Sequence, residues 1–214
     1  MHAQPKTITL AITGASGSAY ALKLLTELLR AGCRVYLMIS KAGRMVLAEE
    51  AKLQLSSKPG QIRAELARHC GLDLETSAST GELHVFALED WFAPVASGSN
   101  PADAMVVCPC TTGTLAEIAL GTSRTLIERA ADVTLKEGRP LILVVRETPF
   151  STLHLQNMLR LSRAGATIMP ANPGFYLQPR GLEDIIDFMV ARILDHLRVD
   201  HQLLPRWGNE RLEC

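Results

Sequence analysis

The 214-residue chain is 47% hydrophobic, enough for one sizeable core, and no compositional break marks a second domain; residues 1–214 are expected to fold as one unit with a tail from about residue 198. Lys and Arg number 22 and Asp and Glu number 22, so no overall field favours nucleic acid or an anionic membrane, and any cationic site must be local. Met1 is followed by no secretory-type apolar core, the longest apolar runs are too short to span a bilayer, and five cysteines, an odd number, do not form a secreted disulfide framework. A soluble cytoplasmic chain with reduced thiols is expected.

Thr7 to Thr13 reads as a buried strand that breaks into Gly14-Ala15-Ser16-Gly17-Ser18, after which Leu22, Leu25, Leu28 and Leu29 recur at helical spacing. The glycines let the backbone turn and approach a ligand, Ser16 and Ser18 offer hydroxyls, and the first N–H groups of the helix favour an anion, phosphate fitting best. A plain strand-to-helix connection has the same look. Val35 to Ile39 forms a second strand and leaves through Ser40-Lys41 into a helix carrying Met45, Val46, Glu49 and Glu50. An NAD site wants an acidic side chain at this strand end, so NAD is disfavoured. From Gln54 to Gly81 only a short helix near Ile62 to His69 is expected, and Leu83 to Ala87 is a plausible strand.

Asp90 to Ser99 is a long aromatic, proline and glycine segment: either a ligand wall or a surface loop pinned by Trp91 on the core. Ala104 to Cys108 is another buried strand, and Pro109-Cys110-Thr111-Thr112-Gly113-Thr114 before the helix Leu115 to Leu120 repeats the logic of the opening turn. Two hydroxyl-glycine loops can therefore face one another across a crevice at the carboxyl ends of the strands. The next helix, Leu126 to Lys136, sets Arg129 and Lys136 on nearly one face, where both can serve one anion. Leu141 to Val145 exits into Arg146-Glu147, either a site pair or a solvated ion pair. Ser151 caps a helix to about Arg163. Ala166 to Met169 is the last strand, and a helix from Leu182 to Leu197 carries Arg192 at the margin of its apolar stripe. Phe188 falls on the opposite, acidic side, so an exposed subunit contact is expected there.

The fold class that follows is α/β: a single doubly wound, Rossmann-like, flavodoxin-type parallel sheet with helices on both faces. Most aromatics lie in exits, loops or the tail, which suits a flat ring system. Phosphate-binding loops with aromatic and apolar walls describe flavin mononucleotide (FMN) better than a triphosphate, because no Gly-x-x-x-x-Gly-Lys-Ser/Thr loop is present. No metal is expected, since Cys108-Pro-Cys110 lacks a second Cys/His pair. Gly14-Ala15-Ser16-Gly17 also lacks the Gly-x-Ser-x-Gly pattern of a nucleophile elbow.

From Ile8 to Trp207 the chain resembles the UbiX-type flavin prenyltransferases, long described as flavin-dependent aromatic-acid decarboxylases. The resemblance rests on Thr13-Gly-Ala-Ser-Gly17, Ile39-Ser40-Lys41, Asp90-Trp91 with Ala96-Ser-Gly-Ser99, Cys108-Pro-Cys-Thr-Thr-Gly-Thr114, Glu128-Arg-Ala-Ala-Asp132, Arg146-Glu147 with Pro149, Pro173-Gly-Phe-Tyr176, and Asp187-Phe188 with Arg192. It implies that FMN is held by Gly14, Ala15, Ser16, Ser40, Thr111, Thr112, Gly113, Thr114 and Arg146. Dimethylallyl phosphate would be held by Lys136, Tyr176 and Arg192, with Glu50 and Trp207 as further substrate contacts and Ser16, Arg129, Lys136 and Glu147 in catalysis. The implied reaction is metal-free transfer of a dimethylallyl group to reduced FMN, closing a fourth ring, in a homododecamer. The prenylated FMN would serve a UbiD-type decarboxylase. Thr111 stands where the family pattern has serine, and Thr125 where it has asparagine. Alternatives are an FMN-dependent decarboxylase of a cysteine-containing peptide or pantothenate derivative, whose Pro-x-Met-Asn-x-x-Met-Trp run is replaced here by Pro170-Ala-Asn-Pro-Gly-Phe-Tyr176, and a non-catalytic flavin carrier.

Overall fold

A computed structural model describes residues 5–74 and 81–204. Strands β1 (Thr7–Ile12), β2 (Arg34–Ile39), β3 (Glu82–Phe86), β4 (Ala104–Cys110), β5 (Leu141–Val145) and β6 (Thr167–Ile168) form a six-stranded parallel sheet in the order β3-β2-β1-β4-β5-β6. The helices are α1 (Ser18–Arg30), α2 (Lys41–Glu50), α3 (Pro59–His69), α4 (Thr112–Leu120), α5 (Leu126–Lys136), α6 (Thr152–Arg163) and α7 (Leu182–Leu197). The doubly wound sheet is the one the strand and helix periodicities called for. Its order reverses between β1 and β4, which opens a crevice at their carboxyl ends.

Both faces of the sheet are buried because successive side chains point opposite ways. Ile8, Leu10 and Ile12 of β1, with Val106 and Cys108 of β4, meet α1 and α7 residues in one core. Ala11, Met105 and Val107 meet Leu126, Ile127 and Ala130 of α5 in the other. Every residue of β4 and β5 is buried, which is why these strands read as continuous apolar runs. None of the described helices is long and apolar enough to cross a membrane.

Three sequence expectations change. Strand β4 runs two residues further than Cys108, and its register against β5 slips between Val107 and Cys110, where Pro109 has no N–H to give the ladder. The segment after β3 is anchored by Ala93 and Val95, both buried in the second core, and not by Trp91, which is 46% exposed; Phe92 is 100% exposed. Phe188 is partly buried rather than exposed, because the Tyr176 ring covers it edge-on at a centroid distance of 5.7 Å.

Candidate active site

The crevice floor is tied by one hydroxyl. Thr13, 1% exposed just past β1, donates its Oγ1 hydrogen to the Pro109 carbonyl at 2.7 Å and accepts the Thr111 N–H at 2.9 Å. Its own N–H also goes to the Pro109 carbonyl, so the ends of β1 and β4 are locked together. On the other side, the Ser40 N–H bonds the Ile12 carbonyl, and Ser40 Oγ caps α2 by accepting the Gly43 N–H at 2.9 Å. A Cβ at Gly14 would lie 2.4 Å from the Ala42 Cβ, and one at Gly43 2.6 Å from the Ile12 carbonyl oxygen. These two glycines let the start of α2 close onto the end of β1.

The two hydroxyl-glycine loops look alike in sequence and differ in use. At the first, the Glu50 carboxylate accepts the N–H groups of Gly17 and Ser18 at 3.1 and 2.9 Å, so the anion at the start of α1 comes from the chain itself. Partial burial would raise the Glu50 pKa, but hydrogen bonds from Ser16, Ser18 and Gly17 outweigh it and hold the group below the ordinary carboxylate value. At the second loop, Thr111 caps α4 by accepting the Thr114 N–H at 3.0 Å, and its hydroxyl bonds that of Thr114 at 3.0 Å. The N–H groups of Thr112 and Gly113 open that helix and have no partner inside a regular turn. Arg146 leaves β5 beside this loop, its N–H on the Cys110 carbonyl, and its Nε is buried without a hydrogen-bond partner among the described residues. A buried, unmatched guanidinium nitrogen beside a helix N-terminus fits the phosphate of FMN. Glu147 follows, half-buried, its carboxylate accepting the Thr148 N–H.

The remaining cations lie elsewhere. Helix α5 starts where the Leu126 N–H meets the Leu88 carbonyl beyond β3, and ends just before Pro140, whose carbonyl bonds the start of β4. Lys136 is thus at the amino edge of the sheet, paired with Glu137 beside Gly98, while Arg129 in the first turn donates Nε to the Ala96 carbonyl at 3.0 Å and Nη1 to Asp132 at 2.8 Å. The last turn of α7 meets Lys6 just before β1, so Arg192, about 7.5 Å back along the helix, is also set away from the carboxyl edge. Arg192 and Tyr176 line a separate cleft of about 550 Å³ with Asp195, Arg198 and His201.

Residues 1–194 match the family description Flavoprotein. The chain is 52% identical over 208 residues to the flavin prenyltransferase UbiX of Pseudomonas aeruginosa, covering 97% of both chains. This chain belongs to the UbiX flavin prenyltransferase family. The UbiX of Methanothermobacter thermautotrophicus is 43% identical, over 94% of this chain and 95% of its own. Among solved structures, AnUbiX in complex with FMN and dimethylallyl pyrophosphate superposes with a TM-score of 0.80 at 39% identity, over 95% of this chain and 98% of that one. A dodecameric FMN-dependent UbiX-like decarboxylase from Escherichia coli O157:H7 gives 0.77 at 36% identity, over 94% and 98%.

Seen as a UbiX-type chain, the structure brings together Gly14, Ala15, Ser16, Ser40, Thr111 to Thr114 and Arg146 around one crevice, with Glu50 at its rim. It does not bring Lys136, Tyr176 and Arg192 to that crevice within one chain. Trp207 lies outside the described residues. Glu50, named from the resemblance as a further substrate contact, lies over the start of its own α1. Thr13 was quoted in the sequence only as part of a motif; its buried hydroxyl between two strand ends is a role that no local pattern announces. Cys108 and Cys110 are fully buried: burial, and next the neighbouring Cys110 charge, pushes Cys108 up, while burial pushes Cys110 up to about 12. Thiols so held are core residues. Among the described residues no cluster of three or more His, Cys, Asp or Glu is placed to hold a metal ion.

Proposed function

We propose that the chain transfers a dimethylallyl group from dimethylallyl phosphate to reduced FMN without a metal, and that the prenylated flavin passes to a UbiD-type decarboxylase. The observation that carries this reading is the presence of two separate anion sites of different build. One is the closed crevice of α4 and Arg146, suited to a flavin phosphate; the other is the open cleft of Tyr176, where Arg192 and Arg198 stand among Asp195 and Asp200 and Arg192 is the group offered to a smaller phosphate. Reduced FMN, when bound, supplies the electron-rich ring to which the dimethylallyl group is joined. Arg129, Lys136 and Arg192 supply positive charge where phosphate departs, and the exposed rings of Tyr176 and the Trp91 segment can face an allylic cation. Ser16 is held by Glu50 at the crevice rim, and Glu147 moves a proton at its carboxylate beside Arg146.

The active unit of this proposal is a homododecamer in which the crevice of one copy meets the cleft and the α5 cations of others. Its support is the distance of Lys136 and Arg192 from the crevice of their own chain, together with the exposed Phe92 and the exposed Leu153, Leu155 and Leu159 of α6. Anaerobic incubation with reduced FMN and dimethylallyl phosphate, followed by mass spectrometry of the released flavin, tests the reaction. A flavin heavier by one prenyl unit is expected. Unchanged flavin with turnover of a thiol peptide would favour the decarboxylase reading, and unchanged flavin with tight binding a carrier.

A further inference from the structure

On the reading that Arg192 binds the donor phosphate, we infer that Asp195, anchored by His201, is the positioning residue that sets the Arg192 guanidinium for that phosphate. Phe188, Arg192 and Asp195 follow one another on one face of α7 at helical spacing. Tyr176 rests on Phe188, so the ring, the guanidinium and the carboxylate form a single row along the cleft. Arg192 Nη1 donates to Asp195 Oδ2 at 2.7 Å. Among the described residues only this one nitrogen of the fork is used. The Nε–Nη2 edge is left in the geometry that grips a phosphate with two parallel hydrogen bonds.

An i, i+3 ion pair on a helix surface is ordinarily loose, and both partners here are half-exposed, with side chains 49% and 42% accessible. What distinguishes this pair is its third member. Helix α7 ends at Arg198, whose φ of 53° turns the chain back over the last turn. That reversal brings the His201 Nε2 to 3.2 Å from the other oxygen of Asp195. The His201 side chain is only 11% exposed, and its Nδ1 accepts the Leu203 N–H at 3.3 Å. With Nδ1 occupied as an acceptor, the neutral ring carries its proton on Nε2 and donates it to Asp195. A relay therefore runs from the Leu203 backbone through a nearly buried imidazole and a carboxylate to the guanidinium. Both oxygens of Asp195 are used, so the carboxylate cannot swing, and Arg192 is oriented before any ligand arrives.

Donor kinetics with saturating reduced FMN test this. Asp195→Ala should raise the KM for dimethylallyl phosphate about tenfold, with kcat within about twofold of the parent and FMN affinity unchanged. In an Arg192→Ala background the same substitution should have no further effect, because a positioning residue has nothing left to position. His201→Phe should raise KM in the same direction by less, and His201→Gln, which keeps a donor near the Nε2 position, should restore it. Thermal midpoints of all variants are read alongside. The inference is overturned if Asp195→Ala leaves KM unchanged or lowers it, if its effect adds fully to that of Arg192→Ala, or if His201→Gln is no better than His201→Phe. If Arg192→Ala itself leaves the donor KM at the parent value, the assignment of this cleft to the donor fails first, and the positioning role falls with it.

Discussion

The crevice at the β1/β4 switch point and the cleft along α7 each receive an anion in the proposed function, but they are opposite kinds of place. The crevice is closed by backbone and buried side chains: Thr13 spans two strands, Ser40 and Thr111 cap helices, and Gly14 and Gly43 let elements touch. The cleft is open, its cations half-exposed on one helix and a returning tail. The crevice is thus framed by buried groups whose hydrogen bonds are satisfied within the chain, apart from Arg146 Nε. In the proposed assembly the cleft would complete another copy's pocket, which requires it to stay accessible until the copies meet.

The largest effect that would break this comparison is complementation between chains. Arg146→Ala should abolish FMN binding, and Arg192→Ala should keep FMN but lose about 2–4 kcal/mol of transition-state stabilisation in donor use. If crevice and cleft come from different copies, as proposed, co-expressing the two variants should restore about a quarter of parental sites by random assortment. Activity of the mixture no higher than that of either variant would place both regions in one chain. Glu147→Gln should still bind both substrates while single-turnover rates fall by about 10²-fold. A parental rate for that variant would remove its proton-transfer role.

Smaller effects sharpen the picture of the crevice as a rigid half. Thr13→Val keeps the volume but leaves the Thr111 N–H without its partner and the Pro109 carbonyl with the backbone N–H of residue 13 alone, and urea unfolding should show a loss of about 1–3 kcal/mol. A change below about 0.5 kcal/mol would mean the strand ends are held by other means. Glu50→Gln should cost less than about 1 kcal/mol at neutral pH, because the carboxylate is solvent-facing and screened. The sign with pH follows from its depressed pKa: the contribution is fully present above the ordinary value of 4.5 and is lost as pH falls from there through the folded value. Parent and variant should therefore converge in stability on acidification. Thiol labelling of the native protein should spare Cys108 and Cys110 at neutral pH, and rapid labelling of either would contradict their burial.

The strands and helices were legible because almost every one leaves a periodic trace: β1, β4 and β5 as apolar runs buried on both faces, α5 and α7 as stripes. Irregular backbone leaves none. Ala93 and Val95 hold the crossover after β3 while the larger Trp91 and Phe92 stay outside, and nothing in residue size predicts that inversion. The residues around the crevice were legible as strand exits, yet the contrast between the two loops was not. Glu50 meets Gly17 across 33 positions of sequence, and such a contact is fixed only once α1 and α2 are packed. The placement of Lys136 was available in principle: a helix joining two parallel strands runs back toward their amino ends, so its last residue is far from the crevice.

The Thr13 clasp also supplies a clock. The Thr111 amide hydrogen is bonded to a side-chain oxygen on the other half of the sheet rather than to a neighbour in its own ladder or helix. Its exchange with deuterated solvent therefore reports how often the two oppositely wound halves separate at their seam, distinct from fraying of α4, which the Leu115 N–H bonded to the Thr111 carbonyl records. Comparing these two amides with and without flavin would time the opening of the seam on a scale independent of catalysis.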